Sequence, residues 1–527
     1  MKKLQVGNIL CGVVLAVQLV MEALTAAAIW RLNMLPDKYF AAVIAVLAVL
    51  WLIVGLLLFL PGRKRKTGAF LKRKRCRIGL FRRIIGCILA VAIIVCCGFA
   101  RNVVSDVHST VDGITGAAEV VNVSMSVYVL DEDPAGTIVD AAGYTFAFLD
   151  QYETARTEKF ISQINREAGT EVTAQGVAIL TDLVEGLYQG ETNAIILNSA
   201  YITLLEETEE YADFSQRTRI LYNAVLEEVI EPQPGEETEQ TEESATGDAA
   251  EQEEQAGITN SPFVIYISGS DTRDYYLTTS RSDVNILMVV NPLTKQVLLV
   301  NTPRDYYVSN PAGNGAKDKL THCGIYGIPC SIGALEGLYD VSVNYYAQIN
   351  FTGVETLVDA IGGVDVYSDV AFTAVWTYPI SQGWNHLSGP EALGYARDRY
   401  SFASGDNARG RHQMQVITAV IEKVTSGTTI ISNYSGILDS IQGMFKTNIT
   451  AEEISQLVKM QLEDLASWNV LSYAVTGAGG SDITYSMPGL YCYVMYPDQK
   501  LVDYGSELID RVLAGEILTE ADMTCPN

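Results

Sequence analysis

Three long apolar segments lie near the N-terminus, at residues 4–30, 39–60 and 84–100. Each approaches or exceeds the ~20 residues that a helix needs to cross a bilayer. A basic loop from Arg63 to Arg83 joins the second segment to the third, and Lys2 and Lys3 precede the first. Because basic flanks stay on the cytoplasmic side of a membrane, we predict a three-helix membrane anchor over residues 1–101, with a cytoplasmic N-terminus and an extracytoplasmic remainder. Cleavage of the first segment as a signal peptide is the alternative.

Residues 102–230 alternate short strand-like and helix-like patterns. The predicted elements are a strand at Ser126–Leu130, helices at Thr154–Arg166 and Gly176–Leu187, a strand at Ala194–Leu197 and a long helix at Tyr211–Ile230. This pattern predicts a small α/β accessory domain. We find no catalytic constellation in it and interpret its acidic residues as a solvated face. Residues 231–259 are rich in Glu, Gln, Thr and Pro, which predicts an acidic disordered linker.

Apolar runs and amphipathic segments alternate again from Asn260 onward. Strands are predicted at 262–267, 284–290, 296–301, 345–350, 364–367, 468–474 and 491–496, and helices at 331–339, 352–361, 389–395, 411–425, 451–466 and 505–514. Such alternation is typical of an α/β sandwich, which we expect to have a central mixed sheet. We assign residues 260–430 to the catalytic domain, and residues 431–527 either extend its α/β fold or form a partner surface.

The net charge of −26 divides unevenly along the 527 residues. Residues 1–101 carry 16 Lys or Arg against 2 Asp or Glu, a net charge of +14, whereas residues 102–527 carry 20 against 60, a net charge of −40. An acidic body argues against nucleic-acid binding, which needs a basic surface. The distribution favours a membrane-anchored protein whose bulk lies outside the cytosol.

Four of the nine cysteines lie outside the anchor, at Cys323, Cys330, Cys492 and Cys525. They would allow two disulfides, Cys323–Cys330 and Cys492–Cys525, in an oxidising compartment. Free, partly buried thiols are the alternative. The chain has no C-x-x-C pair and its four histidines are scattered, which argues against a zinc site.

Asp271 and Asp283 flank the junction of the first two predicted strands of the catalytic domain. If these strands are neighbours, both carboxylates lie at one edge of the sheet. They could then provide two ligands to one Mg2+, with water and phosphate oxygens as the others. Arg281 lies two positions before Asp283, so in an extended chain both side chains point the same way. Loop caps and turn residues are the alternative interpretation.

More arginines follow in this otherwise acidic domain. Arg397 and Arg399 are spaced by two, which places both on one face of an extended segment. Arg409 and Gln413 lie one turn apart at the start of a predicted helix, whose dipole favours anions. Guanidinium groups suit bidentate phosphate contacts, so the cluster favours a phosphate-bearing substrate over surface salt bridges.

A series of motifs between residues 262 and 425 follows one order. The motifs are Arg281-Ser282-Asp283, Asn301-Thr302-Pro303-Arg304-Asp305, Asp318-Lys319-Leu320-Thr321-His322, Ala360-Ile361-Gly362-Gly363-Val364-Asp365-Val366, Leu387-Ser388-Gly389-Pro390-Glu391-Ala392-Leu393 within Gly383–Arg399, and Gly405–Gln413. Together they resemble the LytR–CpsA–Psr family of cell-wall glycopolymer ligases. The three apolar segments and the accessory domain resemble its capsule-attachment branch.

The resemblance implies an Mg2+-dependent phosphotransferase, with Mn2+ as the alternative metal. Such an enzyme moves a glycopolymer, capsular or teichoic-acid-like, from an undecaprenyl-pyrophosphate carrier to peptidoglycan through a phosphodiester. Its implied partners are the membrane, the carrier-linked polymer, peptidoglycan and capsule export or assembly proteins. By matching positions, Asp271 and Asp283 would hold the metal. The positions that match pyrophosphate-binding residues are Arg281, Arg304, Arg397, Arg399, Arg409 and Gln413. The catalytic candidates are Asp283, Asp271, Arg304, Arg397 and Arg399. His412 stands where many members have an Arg.

The sequence leaves several alternatives open. The general base is Asp283, Asp271 or Asp305. A polyprenyl tail needs an apolar groove, which we expect near Val354–Ile361 and Val416–Val424, although the same residues suit an ordinary core. The alternatives to a transferase are a non-catalytic scaffold or sensor that binds the carrier, and a hydrolase that cleaves it. The paired carboxylates argue against the scaffold, and polymer transferred to peptidoglycan would distinguish the transferase from the hydrolase.

Overall fold

The computed structural model describes residues 2–60, 69–115, 119–150, 154–230, 257–273, 275–426 and 436–526. Its contacts divide the chain into two compact units. The first unit comprises residues 1–113, 425–439 and 450–466, and the second comprises residues 114–424, 440–449 and 467–527.

The first unit contains the N-terminal helices. They are α1 (Lys2–Leu32), α2 (Asp37–Phe59) and α3 (Ala69–Ile114). The segments Asn8–Leu32, Asp37–Phe59 and Phe81–Val111 are long and apolar enough to cross a membrane, which confirms the three predicted apolar helices. The helix Ala451–Asp464 also belongs to this unit. The basic run Arg63–Lys66 lies outside the described residues.

The accessory domain in the second unit is a five-stranded sheet with the order β3–β2–β4–β1–β5. Its strands are β1 (Glu119–Leu130), β2 (Thr145–Leu149), β3 (Thr173–Val177), β4 (Ala194–Asn198) and β5 (Thr218–Ile230), and its helices are α4 (Thr154–Ala168), α5 (Leu180–Tyr188), α6 (Ile202–Glu206) and α7 (Phe214–Arg217). β1 is antiparallel to β4 and β5, while β2 is parallel to β3 and β4. Phe146, Phe160 and Ile164 are fully buried in one core of this domain.

The predicted long helix at Tyr211–Ile230 is wrong. Most of that segment is β5, which pairs with β1 along its whole length. The apolar residues fit a helical period, but the free edge of β1 provides backbone partners, and the Thr, Ile and Val residues of the segment favour a strand. The predicted helix at Gly176–Leu187 begins only at Leu180, because the preceding residues form β3. The predicted linker lies almost entirely outside the described residues.

The main domain (residues 257–424, 440–449 and 467–526) contains a six-stranded sheet with the order β16–β11–β6–β7–β8–β17. The strands are β6 (Phe263–Ser270), β7 (Ser282–Asn291), β8 (Gln296–Asn301), β9 (Tyr307–Ser309), β10 (Lys317–Lys319), β11 (Tyr345–Asn350), β12 (Val364–Ser368), β13 (Phe372–Ala374), β14 (Tyr378–Ile380), β15 (Gly383–Leu387), β16 (Phe445–Thr447), β17 (Asn469–Ala474), β18 (Gly477–Thr484) and β19 (Met487–Pro497). The helices are α8 (Leu320–Cys323), α9 (Ile328–Tyr339), α10 (Phe351–Ala360), α11 (Gly389–Arg397), α12 (Asp406–Thr425) and α13 (Gln499–Leu513). β7 is antiparallel to both of its neighbours, β6 and β8. β11 is parallel to β6, and β17 is parallel to β8. This arrangement confirms the predicted α/β fold with a mixed sheet.

The two faces of this sheet have different roles. Val264 and Tyr266 of β6 belong to a core that also contains side chains of α9 and α13. Ile267 of β6 instead lines a cavity together with residues of α12. The edge strands β16 and β17 come from residues after 430, so the C-terminal segment completes the sheet that carries the cavity.

The accessory and main domains share an apolar core within the second unit. Tyr201 and Leu204 of the accessory domain pack with Ile325, Met487 and Cys492 of the main domain. The continuous core makes the accessory domain an integral part of the unit that carries the functional site.

The four cysteines of the second unit are free thiols. Cys323 Sγ donates to the carbonyl oxygen of Lys319 at 3.9 Å, and Cys330 Sγ donates to Asn310 Oδ1 at 3.1 Å. Cys492 and Cys525 pack against different cores. Neither predicted disulfide is therefore present in the structure, and the alternative of free thiols describes both pairs.

Candidate functional site

The hairpin of β6 and β7 brings two carboxylates to one edge of the sheet. The last residue of β6 faces the first residue of β7, so Asp271 and Asp283 lie at the same edge, as the strand pattern predicts. A Cβ atom at Gly269 would stand 2.5 Å from Cγ2 of Val284. Only glycine permits this close approach of the two strands.

Each carboxylate accepts a hydrogen bond from an arginine. Arg281 Nη2 donates to Asp271 Oδ2 at 2.9 Å, and Arg304 Nη1 donates to Asp283 Oδ1 at 2.8 Å. Burial opposes ionisation of Asp283, but the charges of Arg304, Arg409 and Arg281 outweigh it and lower the pKa of Asp283. Burial and the nearby charge of Asp283 raise the pKa of Asp271. The pair therefore combines one firmly ionised carboxylate with one that is protonated more easily.

The start of α12 supplies the next two site residues. Arg409 and Gln413 lie one turn apart and both are buried. Arg409 Nη2 forms an ion pair with Asp406 Oδ1 at 2.6 Å, and Arg409 Nη1 lies 3.8 Å from Asp283 Oδ2. The helix therefore reaches the carboxylate edge of the sheet through Arg409.

Arg397 and Arg399 do not share an extended segment, contrary to the prediction, because Arg397 is the last residue of α11. The Arg397 guanidinium lies 4.3 Å from the ring centre of Phe351. Arg399 lies 4.9 Å from the ring centre of Tyr400 and donates to its hydroxyl at 2.7 Å. Among the described residues neither guanidinium forms an ion pair, so both can receive an anion while the aromatic rings hold them in place.

A cavity of about 600 Å³ collects all eight predicted site residues. They are Asp271, Arg281, Asp283, Arg304, Arg397, Arg399, Arg409 and Gln413. Its apolar wall includes Ile349, Val354, Val416 and Ile417, of which the last three fall in the segments predicted to form a groove. We call this space the arginine cavity. A charged end joined to an apolar wall suits an amphipathic ligand with a phosphate head.

The accessory domain contributes a carboxylate that sequence analysis missed. Glu207 follows α6 and accepts hydrogen bonds from Arg281 Nη1 and, at 2.9 Å, from Arg304 Nη2, while Lys319 Nζ lies 3.5 Å from its other oxygen. Partial burial opposes ionisation of Glu207, but these three cations outweigh it and hold its pKa well below the usual range. The interpretation of the acidic residues of this domain as a solvated face is therefore wrong for Glu207. No local pattern marks this residue, since its partners lie 74 to 112 positions away.

Asp305, the third candidate base, lies in the same charged cluster. Its Oδ1 is 3.2 Å from Lys319 Nζ and its Oδ2 is 3.7 Å from Arg304 Nε. It does not line the arginine cavity, whereas Asp271 and Asp283 do. Asp271 and Asp283, unlike Asp305, would therefore face a ligand in that cavity.

His412 lies outside the arginine cavity, in an aromatic cluster. Its ring centre is 5.7 Å from that of Phe372, 4.3 Å from that of Tyr395 and 5.1 Å from that of Phe402. Burial lowers the pKa of His412 to about 4. The residue is therefore neutral at pH 7 and contributes no charge to the wall of the arginine cavity.

Asp271 and Asp283 fit a divalent cation. Both line the arginine cavity, and Asp283 contributes to the raised pKa of Asp271, a repulsion that a bound cation would relieve. Within the described ranges no group of three or more His, Cys, Asp or Glu side chains could hold a metal ion. The remaining ligands would be phosphate oxygens and water, a ligand set that Mg2+ accepts.

Solved structures resemble half of the chain. The crystal structure of TagV from Bacillus subtilis is 23% identical, covers 49% of this chain and 99% of that chain, and has a TM-score of 0.41. The structure of TagT bound to LI-WTA is 26% identical, covers 48% of this chain and 91% of that chain, and has a TM-score of 0.38.

Curated relatives align with less than two fifths of the sequence. The chain is 34% identical over 198 residues to the polyisoprenyl-teichoic acid–peptidoglycan teichoic acid transferase TagU of Enterococcus faecalis, which is 37% of this chain and 64% of that protein. It is 36% identical over 199 residues to the TagU of Bacillus cereus, which is 38% of this chain and 64% of that protein. The chain thus spans less than two thirds of the length of these relatives. Residues 233–500, about half of the chain, match the LytR_cpsA_psr family. The chain therefore belongs to the LytR–CpsA–Psr family.

Proposed function

We propose that this protein is an extracytoplasmic phosphotransferase that moves a glycopolymer from an undecaprenyl-pyrophosphate carrier to peptidoglycan. The observation that carries the proposal is the arginine cavity, in which one space joins paired carboxylates, five arginines and an apolar wall. The names of the TagU relatives, which describe transfer of teichoic acid from a polyisoprenyl carrier to peptidoglycan, support it. The polymer is either a capsular polysaccharide or a teichoic-acid-like chain.

The two ends of the cavity would bind the two ends of the carrier. The diphosphate would lie against Arg397 and Arg399, whose guanidinium groups have no ion-pair partner among the described residues. The polyprenyl chain would lie along the apolar wall near Val354, Val416 and Ile417. Guanidinium groups neutralise phosphate charge without a proton transfer, and a wall of branched aliphatic residues favours an isoprenoid by burial of apolar surface.

The transfer would be a single displacement at phosphorus. A hydroxyl oxygen of the acceptor attacks the phosphorus that bears the glycopolymer, and a new P–O bond forms. The P–O bond to undecaprenyl phosphate breaks, and undecaprenyl phosphate leaves with the bond electrons. The hydroxyl proton passes to Asp271 or Asp283. Arg304 and Arg409, held by Asp283, are placed to stabilise the charge that develops on the phosphoryl oxygens.

We further propose that Asp271 and Asp283 hold Mg2+, with Mn2+ as the alternative. A bound divalent cation supplies charge neutralisation of the phosphate oxygens and Lewis-acid activation. Replacement of either carboxylate by an amide should weaken metal binding, which calorimetric titration of the substrate-free protein with Mg2+ would measure.

The membrane topology is part of the proposal. The apolar helices α1, α2 and α3 would anchor the chain, with the N-terminus in the cytoplasm and the second unit outside. The anchor would keep the arginine cavity near a lipid carrier that also resides in the bilayer. Capsule export or assembly proteins are the further partners expected of such an enzyme.

The test is a transfer assay with the full chain in lipid nanodiscs. The substrates are a polyprenyl-diphosphate oligosaccharide and peptidoglycan fragments with Mg2+, and mass spectrometry detects a phosphodiester-linked conjugate. We expect Asp283→Ala and Arg397→Ala to lower the rate by at least ~10²-fold, the usual cost of one removed transition-state contact. A chelator should abolish transfer.

Matched controls replace residues of the same types that do not line the arginine cavity. Arg411→Ala removes an exposed arginine from α12, and Asp365→Ala removes an exposed carboxylate from β12; both should transfer at the rate of the unmodified protein. Carrier binding without conjugate, unchanged by Asp283→Ala, would replace the proposal by a scaffold. Release of free oligosaccharide phosphate without conjugate would replace it by a hydrolase.

A further inference from the structure

A second cavity, of about 730 Å³, adjoins the arginine cavity. The two spaces share Glu207, Arg304 and Arg399 as lining residues. Tyr491 and Tyr493 of β19 also line the second cavity, and we call it the tyrosine cavity. The two shared arginines mean that a ligand in the tyrosine cavity would reach the charged end of the arginine cavity.

The tyrosine cavity has a wall from each domain. Leu204 and the segment Glu207–Glu210 belong to the accessory domain, and Tyr491 and Tyr493 belong to the main domain. These two tyrosines are 73% and 53% exposed, and their spacing of two places both on one face of the strand. Two large exposed rings on one face of a strand form an apolar platform beside a charged space.

The net charge of the tyrosine cavity disfavours a second phosphate ligand. Its carboxylates are Glu207, Glu209, Glu210, Asp305 and Asp406, against three Lys or Arg side chains. Carboxylates repel phosphate but accept hydrogen bonds from hydroxyl and amide groups. Aromatic faces pack against the apolar faces of sugar rings. An exposed tyrosine pair beside carboxylates therefore suits an uncharged, hydroxyl-rich glycan.

We propose that the tyrosine cavity is the acceptor subsite, where a glycan strand of peptidoglycan stacks on Tyr491 and Tyr493. The inference rests on the proposed transfer. A two-substrate displacement needs the attacking hydroxyl within about 3.5 Å of phosphorus, so the acceptor must enter through a space that opens on the same arginines. The accessory domain then has a defined role, because Leu204 and the segment Glu207–Glu210 form the wall that the acceptor meets.

Steady-state kinetics of the full chain in nanodiscs separate the two subsites. We expect Tyr491→Ala and Tyr493→Ala each to raise KM for a peptide-free peptidoglycan tetrasaccharide roughly tenfold, as loss of one aromatic contact and its buried area implies. KM for the polyprenyl-diphosphate donor should stay unchanged. Tyr491→Phe keeps the ring and should restore the acceptor KM. Trp376→Ala, in the arginine cavity, should raise the donor KM alone. Trp384→Ala, a residue of β15 that is 72% exposed and lines neither cavity, should change neither.

Binding of the tetrasaccharide to the donor-free protein, followed by NMR of the ligand, tests the subsite without catalysis. The protein could bind the tetrasaccharide, and bind it more weakly after Tyr491→Ala, yet transfer no polymer. That result would overturn the proposed transfer and uphold the glycan subsite. Normal transfer with an unchanged acceptor KM in both tyrosine variants would overturn the subsite and uphold the transfer. Equal changes of donor and acceptor KM in these variants would also overturn it, since they would indicate a general structural defect.

Discussion

Glu207 has a charge environment unlike that of the other site carboxylates. Arg281 and Arg304 each contact Glu207 and a second carboxylate, Asp271 or Asp283 respectively. The two guanidinium groups are therefore held from both sides, which fixes their position before any ligand arrives. This arrangement lowers the entropy lost on binding, but the additional negative charge also opposes a diphosphate.

The substitution Glu207→Gln tests whether Glu207 affects donor binding more by positioning the arginines or by repelling the diphosphate. The amide side chain of the variant would keep one hydrogen-bond acceptor but lose the charge, so the affinity for a polyprenyl-diphosphate donor should rise about three- to tenfold. The thermal unfolding midpoint should fall, since charge-assisted hydrogen bonds become neutral ones. Titration with a fluorescent donor in the absence of acceptor gives Kd. Glu167→Gln, an exposed position on α4, is the matched control, and weaker donor binding by Glu207→Gln would contradict this account.

His412 should make the stability of the protein depend on pH. Burial lowers its folded pKa to about 4, against an ordinary value of 6.5, although the charge of Asp398 opposes this and that of Arg411 adds to it. Below pH 6.5 the unfolded chain therefore binds a proton that the folded chain does not. The contribution to stability is complete above pH 6.5 and is lost, at up to about 1.4 kcal/mol per pH unit, as the pH falls towards 4.

The variant His412→Phe should remove that dependence, because a phenyl ring suits the cluster of Phe372, Tyr395 and Phe402. Thermal unfolding midpoints of the variant and the unmodified protein should differ by a constant amount above pH 6.5. Below it, the difference should move in favour of the variant. Parallel curves between pH 4 and 7 would show that His412 is protonated equally in both states.

At the scale of elements, apolar strands are predictable from the sequence and glycine-rich ones are not. The predicted bounds of β6, β7, β8, β11 and β17 agree with the structure to within a few residues. The pattern is most distinctive in β6, β7 and β8, because these apolar runs are buried on both faces. The pattern does not predict β18, since its sequence is rich in glycine and mostly exposed. Its glycines serve close packing, as a Cβ at Gly480 would stand 2.4 Å from the ring of Tyr496. The pattern of β5 predicts a helix because its pairing with β1 cannot be read from its own residues.

The site residues also fall into two groups, those that local sequence motifs predict and those that only the tertiary structure brings to the site. All eight site residues expected from motifs line one cavity, and most of them lie near the end of a strand or helix. Glu207 and the tyrosine platform could not be found in this way. They enter the site through the packing of one domain on another, which depends on the apolar core around Tyr201, Leu204 and Ile325.

At the scale of the whole molecule, the shared core predicts that the accessory domain stays in place without a covalent link. Burial of Leu204, Ile325 and Met487, each at most 2% exposed, contributes on the order of 5 kcal/mol in total. A protease site introduced within residues 231–256 and then cleaved should therefore leave the two fragments together during gel filtration in detergent, with transfer activity retained. Ile325→Asp places a charge in the shared core and should weaken the association of the cleaved fragments, which both contribute residues to the first unit as well. Ile220→Asp, at an exposed position of β5, should not weaken it. Separation of the unmodified fragments would mean that Glu207 can leave the arginine cavity, and the accessory domain would then act as a removable cover and not as a fixed wall.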